Sequence, residues 1–151
     1  MPDAVPYCVG APWHDGEPKT VLGSFDAVRE YLSAERNAWA DEYAEVCITH
    51  PEDIGDVPVG GPGIWLRNRW GHEVEVGVGR DVWFLMRIQP KPSAVFSDAP
   101  EHVGPLVFYL AGGHYTDIGP SWLVRKAAAL DAIRGWLDTG VFPPSRSPAA
   151  R

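Results

Sequence analysis

Cys47 and His50 stand in a Cys-x-x-His spacing, which is half of a zinc site. A structural zinc ion needs a second pair at a defined distance, and none follows. The other histidines, His14, His72, His102 and His114, are scattered, and each reads as a surface or hydrogen-bonded side chain. The zinc deaminase signature, His-x-Glu with a later Pro-Cys-x-x-Cys, is missing. So are a phosphate loop and a Gly-x-Ser-x-Gly elbow. Gly77-Val78-Gly79 lacks the third glycine and the helix of a dinucleotide fingerprint. Catalysis needs a nucleophile, an acid–base set or a metal cluster at usable spacing. With none legible, the expectation is a protein that is not an enzyme and takes no metal or cofactor.

The chemistry that remains is charge recognition. The chain carries a formal net charge of -7, unevenly spread. Residues 1–66 hold three bases (Lys19, Arg29, Arg36) against twelve acids, whereas residues 67–151 hold ten bases against eight acids. The acids concentrate in Asp41, Glu42, Glu45, Glu52, Asp53 and Asp56. Such a surface repels phosphate backbones and attracts a basic protein partner, so direct nucleic-acid binding is disfavoured. A second candidate set, His114, Tyr115 and Asp117, lies in the Gly-rich segment Gly112–Pro120, which reads as an exposed loop. Trp65, Trp70, Trp83, Tyr115 and Trp122 lie on strands or beside loops, where aromatics are core residues or interface anchors. Cys8 and Cys47 read as two small, reduced, buried hydrophobes. No apolar run approaches the roughly 20 residues of a membrane span, and no charged start precedes an apolar stretch. A cytoplasmic chain is expected.

The elements that would position these groups follow from periodicity. Ser24 looks like an N-cap, and Phe25, Val28, Tyr31 and Leu32 predict a helix to about residue 37. Short extended segments are expected at 5–9 and 19–23, and a strand at 43–49. Residues 51–63, with three Pro and four Gly, read as irregular. Residues 64–70, 72–78 and 82–88 predict an antiparallel meander, in which Val74, Val76 and Val78 face the core and Glu73 and Glu75 face water. Residues 90–105 read as a polar loop before an apolar strand at 106–111. Leu123, Ala127, Leu130, Ile133 and Leu137 predict one face of a helix over 121–139, with Gly140 after its C-cap and Pro143 and Pro144 forbidding resumption. The expected fold class is α+β: one mainly antiparallel twisted sheet with two helices packed on one side. One domain over 1–144 and a loose tail over 145–151 are expected.

The stretch 105–143 resembles the polymorphic-toxin immunity proteins of the actinobacterial type often encoded beside deaminase toxins (immunity protein family one). Members end in an apolar strand, a Gly-rich polar loop, an aliphatic helix and a closing Phe/Trp-Leu-x-Thr-Gly-x-x-Pro. Here the closing motif reads Trp136-Leu137-Asp138-Thr139-Gly140-Val141-Phe142-Pro143. The opening Val21-Leu22 before Ser24-Phe25, and the hairpin Val74-Glu75-Val76-Gly77-Val78, also look like the family's pattern. The chain departs from it at Arg125 and Lys126, where such proteins often place Pro and an acid, and in lacking a Trp after the final Pro. Two cations there oppose the helix dipole, which moves the expected helix start back to about Ser121. The resemblance implies stoichiometric binding and neutralisation of a cognate toxin domain, a nucleic-acid-acting deaminase or nuclease. Asp41, Glu42, Glu45, Glu52, Asp53, Asp56, His114, Tyr115 and Asp117 are the expected contact residues. The rival reading is a small α+β enzyme or ligand-binding domain with a pocket between sheet and helices.

Overall fold

The computed structural model describes residues 5–11, 19–49, 59–88, 93–96, 106–110, 114–119 and 122–142. Their elements run β1 (Cys8–Ala11), β2 (Thr20–Leu22), α1 (Phe25–Thr49), β3 (Val59–Asn68), β4 (Glu73–Gly77), β5 (Val82–Arg87), β6 (Ser93–Phe96), β7 (Leu106–Leu110), β8 (His114–Ile118), β9 (Leu123–Arg125) and α2 (Lys126–Thr139). The main path of the sheet is β2-β1-β3-β4-β5-β6, with β7 beside β3, β8 beside β7, and β9 beside β5. Every described pairing is antiparallel except β3 with β7. The fold is α+β, as the alternation of apolar stripes and short strands requires.

Both helices bury their apolar stripes in one cluster with one face of the sheet. Val28, Leu32 and Trp39 of α1 meet Ile133, Trp136 and Leu137 of α2 over Leu66, Val74, Val76 and Leu85. The opposite face carries a second cluster of Phe84, Phe108, Ile118 and Leu123. Strand alternation explains the division: Leu85 and Val124 point to the helices, and their neighbours Phe84 and Leu123 point away. Phe84 and Phe108 meet edge to face at 4.9 Å. They fit because position 77 is glycine: a Cβ there would overlap the Phe84 ring and crowd Phe108. A sheet covered on both faces leaves less of β4 wet than its alternation implies. Glu75 is 6 % exposed, not solvated as expected, and stands in register between Trp65 of β3 and Met86 of β5.

Ser24 caps α1 as expected, its Oγ accepting from Ala27 N at 3.1 Å. The helix then runs to Thr49, so the strand expected at 43–49 does not form. Trp39 and Tyr43, one helical turn apart, stack at 5.0 Å and carry the helix past residue 37. At its end Thr49 Oγ1 donates to Glu45 O at 2.9 Å, a bond back to the preceding turn. Cys47, expected to be buried, is exposed on this extension, whereas Cys8 is buried as expected.

Three more expectations need correction. Val59–Gly63 belongs to β3 despite its glycines and Pro62, because β7 pairs alongside it. Ser93–Phe96, inside the expected loop 90–105, pairs with β5. Helix α2 starts at Lys126, not near Ser121, because Leu123–Arg125 is taken up by pairing with Val82–Phe84. This rotates its buried stripe to Ala129, Ala132, Ile133, Trp136 and Leu137, leaving Ala127 exposed and Leu130 half-buried. Gly140 adopts the left-handed conformation expected of it, φ 84°, and its N–H donates to Trp136 O. The tail 145–151 lies outside the described residues.

The turn between β3 and β4 closes the end of α2 from outside. Asn68 is buried, and its Oδ1 accepts from the N–H groups of Trp70 and His72, both at 3.0 Å. Its Nδ2 donates to Trp136 O at 3.4 Å, and Arg69 Nη2 donates to Leu137 O at 3.4 Å. His72 Nδ1 lies 3.3 Å from Gly140 O. The last carbonyls of a helix are short of internal partners, and here one turn supplies a donor to Leu137 O and a second donor to Trp136 O, which also accepts from Gly140 N–H.

Ile133→Ala should cost roughly 2–5 kcal/mol in urea denaturation, and half-buried Leu130→Ala clearly less. Asn68→Ala should cost about 1–3 kcal/mol by leaving the turn's donors unmatched. It should also expose the α2 end to hydrogen exchange. The third expectation concerns pH. Burial pushes the Cys8 thiol from 9.0 up to about 12. Burial, then the nearby Glu35 carboxylate, pushes the Tyr31 phenol from 10.0 up to about 12. An acid held protonated by the fold adds stability that is complete below its unfolded pKa and lost as pH rises towards the folded value. Stability should therefore decline from pH 9.0 towards about 12, and Cys8→Ala should reduce the early part of that decline in alkaline urea titrations.

Candidate functional site

The acidic set divides at the end of α1. Asp41, Glu42 and Glu45 are exposed on two successive turns of the helix. Asp41 and Glu45 are four apart and Glu42 and Glu45 three apart, so one flank of the helix gathers all three. From Ala44 to Thr49 each described side chain is exposed, and Ile48 is 81 % exposed. Among the described side chains, Tyr43 is the last of α1 packed against the core, and the helix runs on for six residues, about 9 Å. Between Arg36 and Thr49 the helix carries no base, and its last turn holds none to offset the negative end of its dipole. Exposed carboxylates, the negative end of the helix dipole and the exposed Ile48 side chain therefore meet in one place.

Glu52, Asp53 and Asp56 lie outside the described residues. His114, Tyr115 and Asp117 occupy β8, not the loop expected for 112–120, opposite Leu110, Tyr109 and Val107 of β7. The structure does not bring this set onto the element that bears the acids: β8 pairs with β7, whereas α1 lies on β1, β2, β3 and α2. Among the aromatics, Trp83 is buried with its Nε1 donating to Gly79 O at 2.9 Å. Trp70 is exposed beneath the Arg69 guanidinium, 5.0 Å from its ring.

Among the described residues, cavities open beside the core at two places. One, of about 560 Å³, lies at the α2 end between His72, Glu73, Arg87, Trp136 and Phe142. The other, of about 430 Å³, lies where α1, the β4–β5 turn and the start of α2 converge. Arg29, Arg36, Arg80 and Lys126 line it, and Glu30 is the single carboxylate among its described lining. Sequence reading missed this cluster because its members come from three separate elements. The available signal was Lys126: a cation in the first turn of a helix with no acid to balance it. Among the described residues, no group of three or more His, Cys, Asp or Glu could hold a metal ion, and no helix is long and apolar enough to cross a membrane. Comparison with family models, with curated proteins and with solved structures returned no match to this chain.

Proposed function

We propose that this chain is a cytoplasmic immunity protein: it binds a cognate toxin domain, a nucleic-acid-acting deaminase or nuclease, and neutralises it stoichiometrically without catalysis of its own. The observation that carries the reading is the acidic end of α1, where Asp41, Glu42, Glu45 and Ile48 are all exposed. A helix needed only for the core could end at Tyr43. An enzyme acting on nucleic acid needs an electropositive cleft to hold a polyanion, and a rigid helix end of opposite charge competes for that cleft. Electrostatic steering would raise the association rate, and burial of Ile48 would slow release. The closing motif Trp136–Pro143, shared in pattern with immunity proteins, supports the same class.

The test is surface plasmon resonance against the toxin domain encoded beside this chain. Reversing Asp41, Glu42 and Glu45 to Lys should slow association roughly tenfold or more and flatten its salt dependence. Ile48→Ala should mainly speed dissociation. Folded variants that bind like the parent would remove α1 from the interface. Survival of toxin-expressing cells without co-expression of this chain would count against the immunity reading itself.

A further inference from the structure

The cavity between α1, the β4–β5 turn and α2 is cationic in a chain whose net charge is -7. Arg29 is paired with Asp26 at 3.3 Å. Among the described residues, no carboxylate pairs with Arg36, Arg80 or Lys126. Arg36 Nε is also buried without a hydrogen-bond partner. Buried donors are normally matched, and like charges sharing a concave site repel unless something neutralises them. Among the described residues, three of the four cations that line the cavity are thus without a carboxylate partner. The floor is different in character: Val78, Trp83 and Leu130 are apolar, and the one polar atom of the Trp83 ring is already engaged by Gly79 O. Ser33 and Asn37 add neutral hydrogen-bonding groups from α1.

We propose that this cavity binds a small phosphate-bearing molecule, with the phosphate held by Arg36, Arg80 and Lys126 and an apolar body resting on half-buried Leu130. A carboxylate would be satisfied by one guanidinium, whereas a phosphate dianion has charge and acceptors for several cations at once. The volume, about 430 Å³, suits a small ligand. Lys126 also stands at the start of α2, whose first turn holds no acid and whose N-cap makes no side-chain hydrogen bond, so the helix dipole adds to the same potential. This site is separate from the acidic end of α1 and does not depend on the toxin-binding reading.

Isothermal titration calorimetry of the full chain with adenosine 5′-monophosphate, inorganic phosphate and adenosine tests the proposal. The monophosphate should bind, inorganic phosphate more weakly, and adenosine least. Arg80→Gln and Lys126→Gln alter exposed side chains and should leave the melting temperature near that of the parent. Each should weaken monophosphate binding roughly tenfold or more, as loss of a charge-assisted hydrogen bond does. Absence of monophosphate binding to the parent, or equal affinity in the parent and both folded variants, would overturn the site. A hexaglutamate peptide that binds through Arg80 and Lys126 where the monophosphate does not would overturn it in favour of an acidic partner segment.

Discussion

The amide of Asn68 couples the two halves of the fold. Two of its bonds shape the turn from β3 into β4, and a third reaches across to the last turn of α2. A buried side-chain amide has both donors and acceptors to satisfy, so it fixes geometry in a way that an apolar contact cannot. Arg69 and His72 follow it to the same helix end. Packing follows from that anchor: with the C-terminal end of α2 fixed, Trp136 and Leu137 lie against the cluster that α1 shares, and Phe142 stacks on Trp136 at 5.3 Å. The Trp-Leu-x-Thr-Gly motif that suggests a family is thus also the segment that receives this turn. Its pattern has a structural cause in this molecule, in addition to any shared ancestry.

Parts of this architecture were legible from local chemistry. The meander over β3–β5, the Ser24 cap and the Gly140 stop each follow from residues next to one another in the chain. Where legibility failed, a distant partner decided the outcome. His114–Ile118 looks like loop because it is polar and follows Gly112-Gly113, yet it pairs residue for residue with β7, a partner its own composition does not disclose. Tyr43–Thr49 has a strand's composition at its end, but Ala40, Glu42, Ala44 and Glu45 favour continuing a helix already nucleated upstream. Leu123 fits the α2 stripe by spacing alone, and its pairing with Phe84 could not be read from spacing.

The same distinction separates the two candidate surfaces. Asp41, Glu42 and Glu45 are close in sequence, so their clustering is legible there, although the element that carries them is a helix and not the approach to a strand. The cations of the second cavity become neighbours only through the packing of α1 against α2 and of β9 against β5. The chain is therefore electrically divided along α1. Its first half contributes Arg29 and Arg36 to a concave cationic site, and its far end presents carboxylates to solvent. Net charge describes neither region, and a partner would meet a local field of either sign depending on where it approached.

The contact of Phe84 with Phe108 has a consequence for how relatives of this chain could diverge. The two rings occupy space that exists only because residue 77 lacks a side chain, and Gly60 also lies against the Phe108 ring. Close packing leaves no slack to absorb an added methyl group piecemeal. Divergence at these four positions should therefore be correlated: a lineage that gains bulk at 60 or 77 must shed it at 84 or 108. Covariation among 60, 77, 84 and 108 would mark descent of this particular core even where the surface chemistry has changed.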